Sequence, residues 1–244
     1  AWGSTDINQW DTQIQLGVVL HLSGSVSTGV FNSPQVSYGQ FQQTDDFLRA
    51  FGPLKISGHT LQTSGSTLGL QKSGGTAYKI GANYVINPNH PSTVTESTFI
   101  TSSKIYRYYV SGSAPIIDAG VGNAGYTGVD PNNYNNNGVL TAVPSNNPWQ
   151  IQRVFWIPNS PTNAFIVYYG NDTYKTLLDA TNAVSTEPFT EAPNTAQNAI
   201  LVGYVLVSKS ATNLTNITQG AILQAGLFRN VGGVGSSGTS PIST

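Results

Sequence analysis

Residues 149–157 read WQIQRVFWI, residues 164–169 read AFIVYY, and residues 199–207 read AILVGYVLV. In the first stretch Trp149, Ile151, Phe155 and Ile157 recur at every second position, with Arg153 among them. That is the period of a β-strand with one apolar face. AFIVYY follows the six-residue loop PNSPTN, so the two stretches predict an antiparallel hairpin. AILVGYVLV is apolar at odd and even positions alike, the pattern of a strand covered on both faces. It is expected near the centre of a sheet.

Outward from this core the chain continues in short strands and turns. Residues 14–22, IQLGVVLHL, predict a first strand, and SGSVSTG at 23–29 predicts a turn-rich connector. Across 54–86, apolar residues alternate in bursts broken by SGS and SGG, as in consecutive hairpins. Residues 98–110 predict a long strand, 111–148 a loop-rich stretch, and 221–228 a last strand. Two helices are expected. One spans 43–52, with Thr44 as cap, Asp45 and Asp46 at the positive dipole end, and a Phe47, Leu48, Phe51 stripe. Gly52 and Pro53 stop it. The other spans 174–183, behind an Asn171-Asp172 cap, with Leu177, Leu178 and Ala180 towards a sheet. The expected fold is mainly β: an antiparallel β-sandwich or jelly-roll-like domain with two short helices.

Composition narrows the function. Only 9% of the 244 residues are charged, ten basic against eleven acidic, where about 25% is usual. No basic stripe is present, so no nucleic-acid partner is expected. With 39% hydrophobic residues the chain can bury a core and is not a charged disordered segment. Cysteine is absent, which removes disulfides, thiolate ligands and a Cys nucleophile. No run approaches the roughly 18 apolar residues of a membrane-spanning helix, so no membrane insertion is expected.

The recognisable motifs lack their contexts. GVGNAG at 120–125 and GVGSSG at 233–238 match a dinucleotide fingerprint, but neither leads into a helix. His21, His59 and His90 are scattered, with no metal-ligand spacing and no nucleophile elbow. Asp130, Asn132, Tyr134 and Asn136 resemble the start of a calcium loop without its final acid. Glu187 and Glu191 are close in sequence, but Pro188 and Pro193 put them in a loop. No cofactor, no metal and no catalytic residue is expected, and the chain is read as not an enzyme. Tyr126 and Tyr134, in the amide-rich loops, are the candidate contacts for a glycan, since tyrosine stacks and asparagine hydrogen-bonds.

The order of phrases carries a further signal. FNSPQVSYGQ at 31–40 leads to DDFLRAFGPLKISG at 45–58 and LGLQKSGGTAYKIGANYVINPNHPSTV at 68–94. WQIQRVFWIPNSPTNAFIVYYGNDTYKTLLDA at 149–180 follows, then EPFTEAP at 187–193 and AILVGYVLVSKSATNLTN at 199–216. AILQAGLFRNVGGVGSSG at 221–238 closes the series. This resembles a fibre-associated structural module of tailed bacteriophages, over about residues 14–238. The resemblance implies a virion structural protein of the tail fibre or appendage, trimeric, linking the particle to host-attachment parts. It transfers no catalytic residue. Two other functions stay open: a receptor-binding module gripping host surface glycan, and a capsid head fibre or decoration protein.

The expected organisation is an N-terminal arm and connector strand over 1–30, a β-rich fibre module over 31–230, and a Gly/Ser-rich linker over 231–244 leading into further fibre segments. Trp2 and Trp10 are expected to anchor the arm on a neighbouring chain, another copy or a different tail or capsid protein.

Overall fold

A computed structural model describes residues 18–22, 25–31, 38–98, 104–112, 114–160 and 164–226. Trp2, Trp10, GVGSSG at 233–238 and the expected linker lie outside the described residues. The chain divides into two compact units, Ala1–Ala50 and Phe51–Thr244.

In the first unit β1 (Val18–Leu22) pairs antiparallel with β2 (Ser25–Phe31). Residues 25–31, expected in large part as a connector, are therefore a strand. Val26, Thr28 and Val30 alternate, and β-branched residues favour the pleated backbone over the turn that the serines and glycines signal. His21 sits in β1 opposite Val26. Helix α1 (Tyr38–Phe51) starts well before the expected Thr44 cap, so Thr44 lies inside it. The residues ahead of Thr44 include Gln40, Gln42 and Gln43, good helix formers that extend the helix towards the N-terminus. Gly52, at φ 68°, ends it as expected, followed by Pro53. Phe47 and Phe51 are exposed.

The second unit is mainly β and mostly antiparallel. Its strands are β3 (Leu54–Gly58), β4 (Leu61–Thr63), β5 (Leu70–Lys72), β6 (Gly75–Tyr78), β7 (Thr93–Glu96), β8 (Lys104–Ser111) and β9 (Ala114–Asp118). Then come β10 (Asn133–Asn136), β11 (Val139–Ala142), β12 (Trp149–Trp156) and β13 (Ala164–Tyr168). Helices α2 (Leu177–Ala183) and α3 (Pro193–Asn198) precede β14 (Ile200–Ser208) and β15 (Gly220–Gln224).

One six-stranded sheet, in the order β15-β14-β12-β13-β8-β9, is the centre. The expected hairpin is its heart: β12 pairs antiparallel with β13, Arg153 opposite Tyr168 and Trp156 opposite Phe165. β14 lies inside the sheet between β12 and β15, as its two-sided apolar pattern requires. Among the described strands only β8 and β13 pair in parallel.

Both faces of the sheet are covered. On one, Val154, Trp156, Phe165 and Val202 pack with Leu61, Leu70 and Ala77 from β4, β5 and β6. On the other, Phe155, Ile166 and Tyr168 pack with Ala192 and Ala199, while Trp149, Ile151 and Leu206 meet Ala180 and Val184. All of β12 is buried, including Gln150, Gln152 and Arg153. One apolar face was the expectation; on the second face Val154 and Trp156 join the core, and the amide Nε2 groups of Gln150 and Gln152 donate to the Asp130 carbonyl.

A bulge in β14 shifts the register between Val154 and Phe155 of β12. It lets Ile200 and Val202, then Val205 and Val207, face the same core. Gly203 sits at this point because a Cβ there would lie 2.6 Å from the Leu223 carbonyl oxygen.

Several expected elements differ. β4 and β5 form a hairpin inserted between β3 and β6, which pair with each other, so 54–86 is not a simple run of hairpins. Residues 80–86 are turns, and Tyr84, Val85 and Ile86 are exposed, Val85 at 94%. The expected long strand 98–110 is β8, from Lys104, with 99–103 outside the described residues. The loop-rich stretch 111–148 holds β9 and the β10–β11 hairpin. Helix α2 is capped by Thr176, not by Asn171 or Asp172. Thr176 Oγ1 accepts the Asp179 N–H, and the Asp179 carboxylate accepts the Thr176 N–H. Ala180 is fully buried under α2, whereas Leu178 is exposed. Helix α3, with Pro193 opening it, had no counterpart in the sequence reading.

Candidate functional site

Four segments enclose an open groove of about 600 Å3: the end of β8, the β10–β11 hairpin, the 171–172 turn and residues 188–190. The hairpin exists because Asn137 and Gly138, at φ 50° and 93°, form its two-residue turn. An Asn-Gly pair is the strongest short hairpin signal. It was legible in the tract DPNNYNNNG but outweighed there by amide-rich composition.

Asn135 locks this hairpin to its surroundings. Its Nδ2 donates to Asn171 Oδ1 at 3.0 Å, and its Oδ1 accepts the Gly138 N–H at 2.8 Å. Asn171 Nδ2 in turn donates to the Pro188 carbonyl at 2.8 Å.

Beneath the groove lies a buried ion pair. Arg153 donates to Glu187 Oε2 at 2.7 Å and to the Glu187 carbonyl at 3.2 Å. The other carboxylate oxygen accepts the N–H groups of Asn171 and Asp172, each at 3.0 Å. Burial pushes the Glu187 carboxyl up, against the pull of Arg153 and the two amides. The Arg153 guanidinium also stacks 4.4 Å from the centre of Phe189. Phe189 stands edge-on to Tyr168 at 5.1 Å, and the Tyr168 hydroxyl accepts the Ala192 N–H at 3.2 Å. One wall of the groove is thus fixed to the central sheet by charge, ring packing and backbone bonds. Glu187, one of the close acids in the sequence, is committed to this structural task.

Tyr134 lines the groove with Tyr109, Phe189 and exposed Asn136, Asn137, Asp172 and Thr190. Tyr126 lies elsewhere, in a hollow of about 860 Å3 with Arg107, Lys104 and Thr212. The Arg107 guanidinium covers the Tyr126 ring at 3.8 Å, and the Tyr126 hydroxyl donates to Asp118 Oδ1 at 2.7 Å. That hydrogen bond pushes the Tyr126 hydroxyl pKa up. The two sequence candidates are therefore not brought together, and Tyr126 already spends a ring face and its hydroxyl on neighbours.

Asp130, the first residue of the calcium-like tract, organises its own turn. It accepts from Asn132 N at 2.8 Å, Asn133 Nδ2 at 2.9 Å and the Tyr169 hydroxyl at 3.1 Å. Arg107 lies 3.6 Å away. Gln150 and Gln152, two residues apart on β12, both donate to the Asp130 carbonyl. Among the described residues no three His, Cys, Asp or Glu side chains gather as a metal site. GVGNAG forms a short 3-10 turn, Val121–Asn123, not the start of a helix that could face a pyrophosphate.

A second buried polar group escaped the sequence reading. His59 and Lys72 are both fully buried against Trp156. Lys72 Nζ donates to His59 Nδ1 at 3.0 Å, lies 4.1 Å from the Trp156 ring centre, and stands 3.5 Å from Glu96. An ammonium group only donates, so Nδ1 carries the lone pair and the ring proton sits on Nε2. Burial first, then the charges of Lys72 and Lys55, pull the His59 pKa down to about 4. No periodic pattern announces a buried cation beside an imidazole, so no sequence signal was available.

No protein family, curated protein or solved structure matches this chain. Among the described residues no helix is long and apolar enough to cross a membrane.

Proposed function

We propose that the chain is a non-catalytic structural module of a tailed-bacteriophage fibre or tail appendage, assembled as a homotrimer on the virion. The phrase order from FNSPQVSYGQ to AGLFRNVGGVGSSG supports the phage reading. The observation that carries assembly is strand β9. It closes one end of the six-stranded sheet, and no described strand pairs with its outer edge. Ile116 and Ile117, successive and therefore on opposite faces, are 38% and 50% exposed. An open apolar edge is a template for another strand, and a second and third copy of the chain would cover it. In this reading the six-stranded sheet and the small sheets β3-β6-β7 and β4-β5 form the two layers of a sandwich. Committing the Glu187 carboxylate to Arg153 agrees with a structural role.

Sedimentation of the full chain at micromolar concentration tests it. The expected mass is three times the 25.8 kDa of one chain, and Ile117→Lys is expected to shift the population to monomer. A wild-type chain that stays monomeric refutes the assembly.

A further inference from the structure

We propose that the groove between β8, the β10–β11 hairpin and residues 188–190 binds a neutral oligosaccharide. The inference rests on the groove alone and not on the fibre assignment.

Its size comes first. About 600 Å3 lies within the range of roughly 300–1,000 Å3 typical of small-molecule sites. Its chemistry comes second. Tyr109 and Tyr134 offer half-buried ring surface at the wall. The Tyr109 ring is held edge-on to Tyr169 at 6.2 Å, so that surface is positioned before any ligand arrives. A pyranose presents a patch of C–H bonds that packs on such a ring.

Around the rings stand groups that both donate and accept. Asn136 and Asn137 are exposed on the hairpin. Asp172 Oδ1 accepts the Thr173 N–H at 2.7 Å, which leaves Oδ2 for a ligand hydroxyl. A sugar hydroxyl donates and accepts, and amides beside a carboxylate match that requirement. A phosphate or carboxylate ligand would need cations. No Lys or Arg lines the groove, and Asp172 would repel an anion. A free apolar peptide side chain would need a deep apolar pocket, whereas this groove is open and rimmed by amides.

The frame is rigid where it must be. Asn135–Asn171 and Arg153–Glu187 fix the hairpin and the facing loop, so little ordering cost falls on the binding step.

The test is isothermal titration of the full chain with maltotriose, cellotriose, mannotriose and chitotriose, with a hyaluronan tetrasaccharide as the anionic control. At least one neutral trisaccharide is expected to bind at millimolar concentration or below. Tyr134→Ala and Asp172→Ala are each expected to weaken that binding about tenfold or more, while Tyr126→Ala leaves it unchanged. Thermal melts establish that the variants are folded, and Asp172, with its exposed side chain, is the substitution least able to disturb the fold. Three results overturn the proposal: no neutral probe binding at millimolar concentration, tighter binding of hyaluronan, or affinity unchanged in both groove variants. None of them alters the sedimentation result that tests the fibre reading.

Discussion

Acidification is expected to destabilise this protein through His59. The imidazole is fully buried against Trp156, with ring centres 4.3 Å apart. Its pKa falls from 6.5 to about 4 on folding. Between those values the unfolded chain binds a proton that the folded chain refuses. Stability conferred by the neutral ring is therefore complete above the unfolded pKa and is lost as pH falls towards the folded one. The gap is worth about 3 kcal/mol when fully developed, of which about 2 kcal/mol is felt between about pH 7 and about pH 5. Urea unfolding followed by tryptophan fluorescence at several pH values measures it. His59→Asn is the control, because His59 stands at φ 50° and asparagine tolerates that left-handed backbone. The variant will be less stable at neutral pH, having lost ring packing on Trp156. The decisive quantity is the slope. Glu187, whose carboxyl is pushed up by burial, contributes a pH dependence of opposite sign in both proteins, so their difference isolates His59. An identical slope in the two proteins, or an NMR titration of His59 near its ordinary value, refutes the reasoning.

Other perturbations have equally definite outcomes. Glu187→Gln, which leaves Arg153 buried without its counter-charge, is expected to cost about 3–5 kcal/mol in chemical denaturation. The double variant Arg153→Met with Glu187→Met should cost clearly less than the two single changes added together. Gly203→Ala places a Cβ 2.6 Å from the Leu223 carbonyl and 3.0 Å from Leu61 Cδ2. It is expected to lose about 1–3 kcal/mol, read as a lower urea midpoint with unchanged m-value. Thr176→Ala removes the capping box of α2 and should cost about 1 kcal/mol.

The parts of this fold that were legible in the sequence are those where one local pattern decides the outcome. WQIQRVFWI and AFIVYY pair because their period and the short loop between them leave no other partner as close. AILVGYVLV is inside the sheet because both of its faces are apolar. The parallel pairing of β8 with β13 joins Ile105 to Phe165, and no local pattern encodes so distant a contact. KIGANYVI alternates like a strand, yet 83–87 is held as a turn by Asn83, whose N–H donates to the Pro91 carbonyl and whose own carbonyl accepts from Ile86 and Asn87. The site was legible in part for the same reason. Tyr134 was singled out by its setting of amides, and it does line the groove. Asp172 and Phe189 join it from loops far along the chain, placed there by the Glu187 carboxylate and the Arg153 guanidinium. A glutamate just ahead of a proline reads as a loop residue until its arginine partner is located on β12.

The two proposals also bear on each other. Tyr109 belongs to β8, and β8 is the strand to which the edge strand β9 is paired, Tyr109 opposite Ile116. Covering β9 with a neighbouring copy would therefore fix the groove in a definite place beside the interface and repeat it once per subunit. A single shallow site of hydroxyl and amide contacts gives weak affinity, because each hydrogen bond formed replaces one to water. Three such sites on one rigid assembly make the second and third contacts intramolecular, and a surface carrying repeated sugars would be held far more tightly than any one sugar. The measurable consequence is a difference between formats. Trisaccharides free in solution should bind wild type and Ile117→Lys alike, while retention on a dense glycan surface should fall in Ile117→Lys. Equal retention of the two proteins on that surface would show that assembly through β9 adds nothing to recognition.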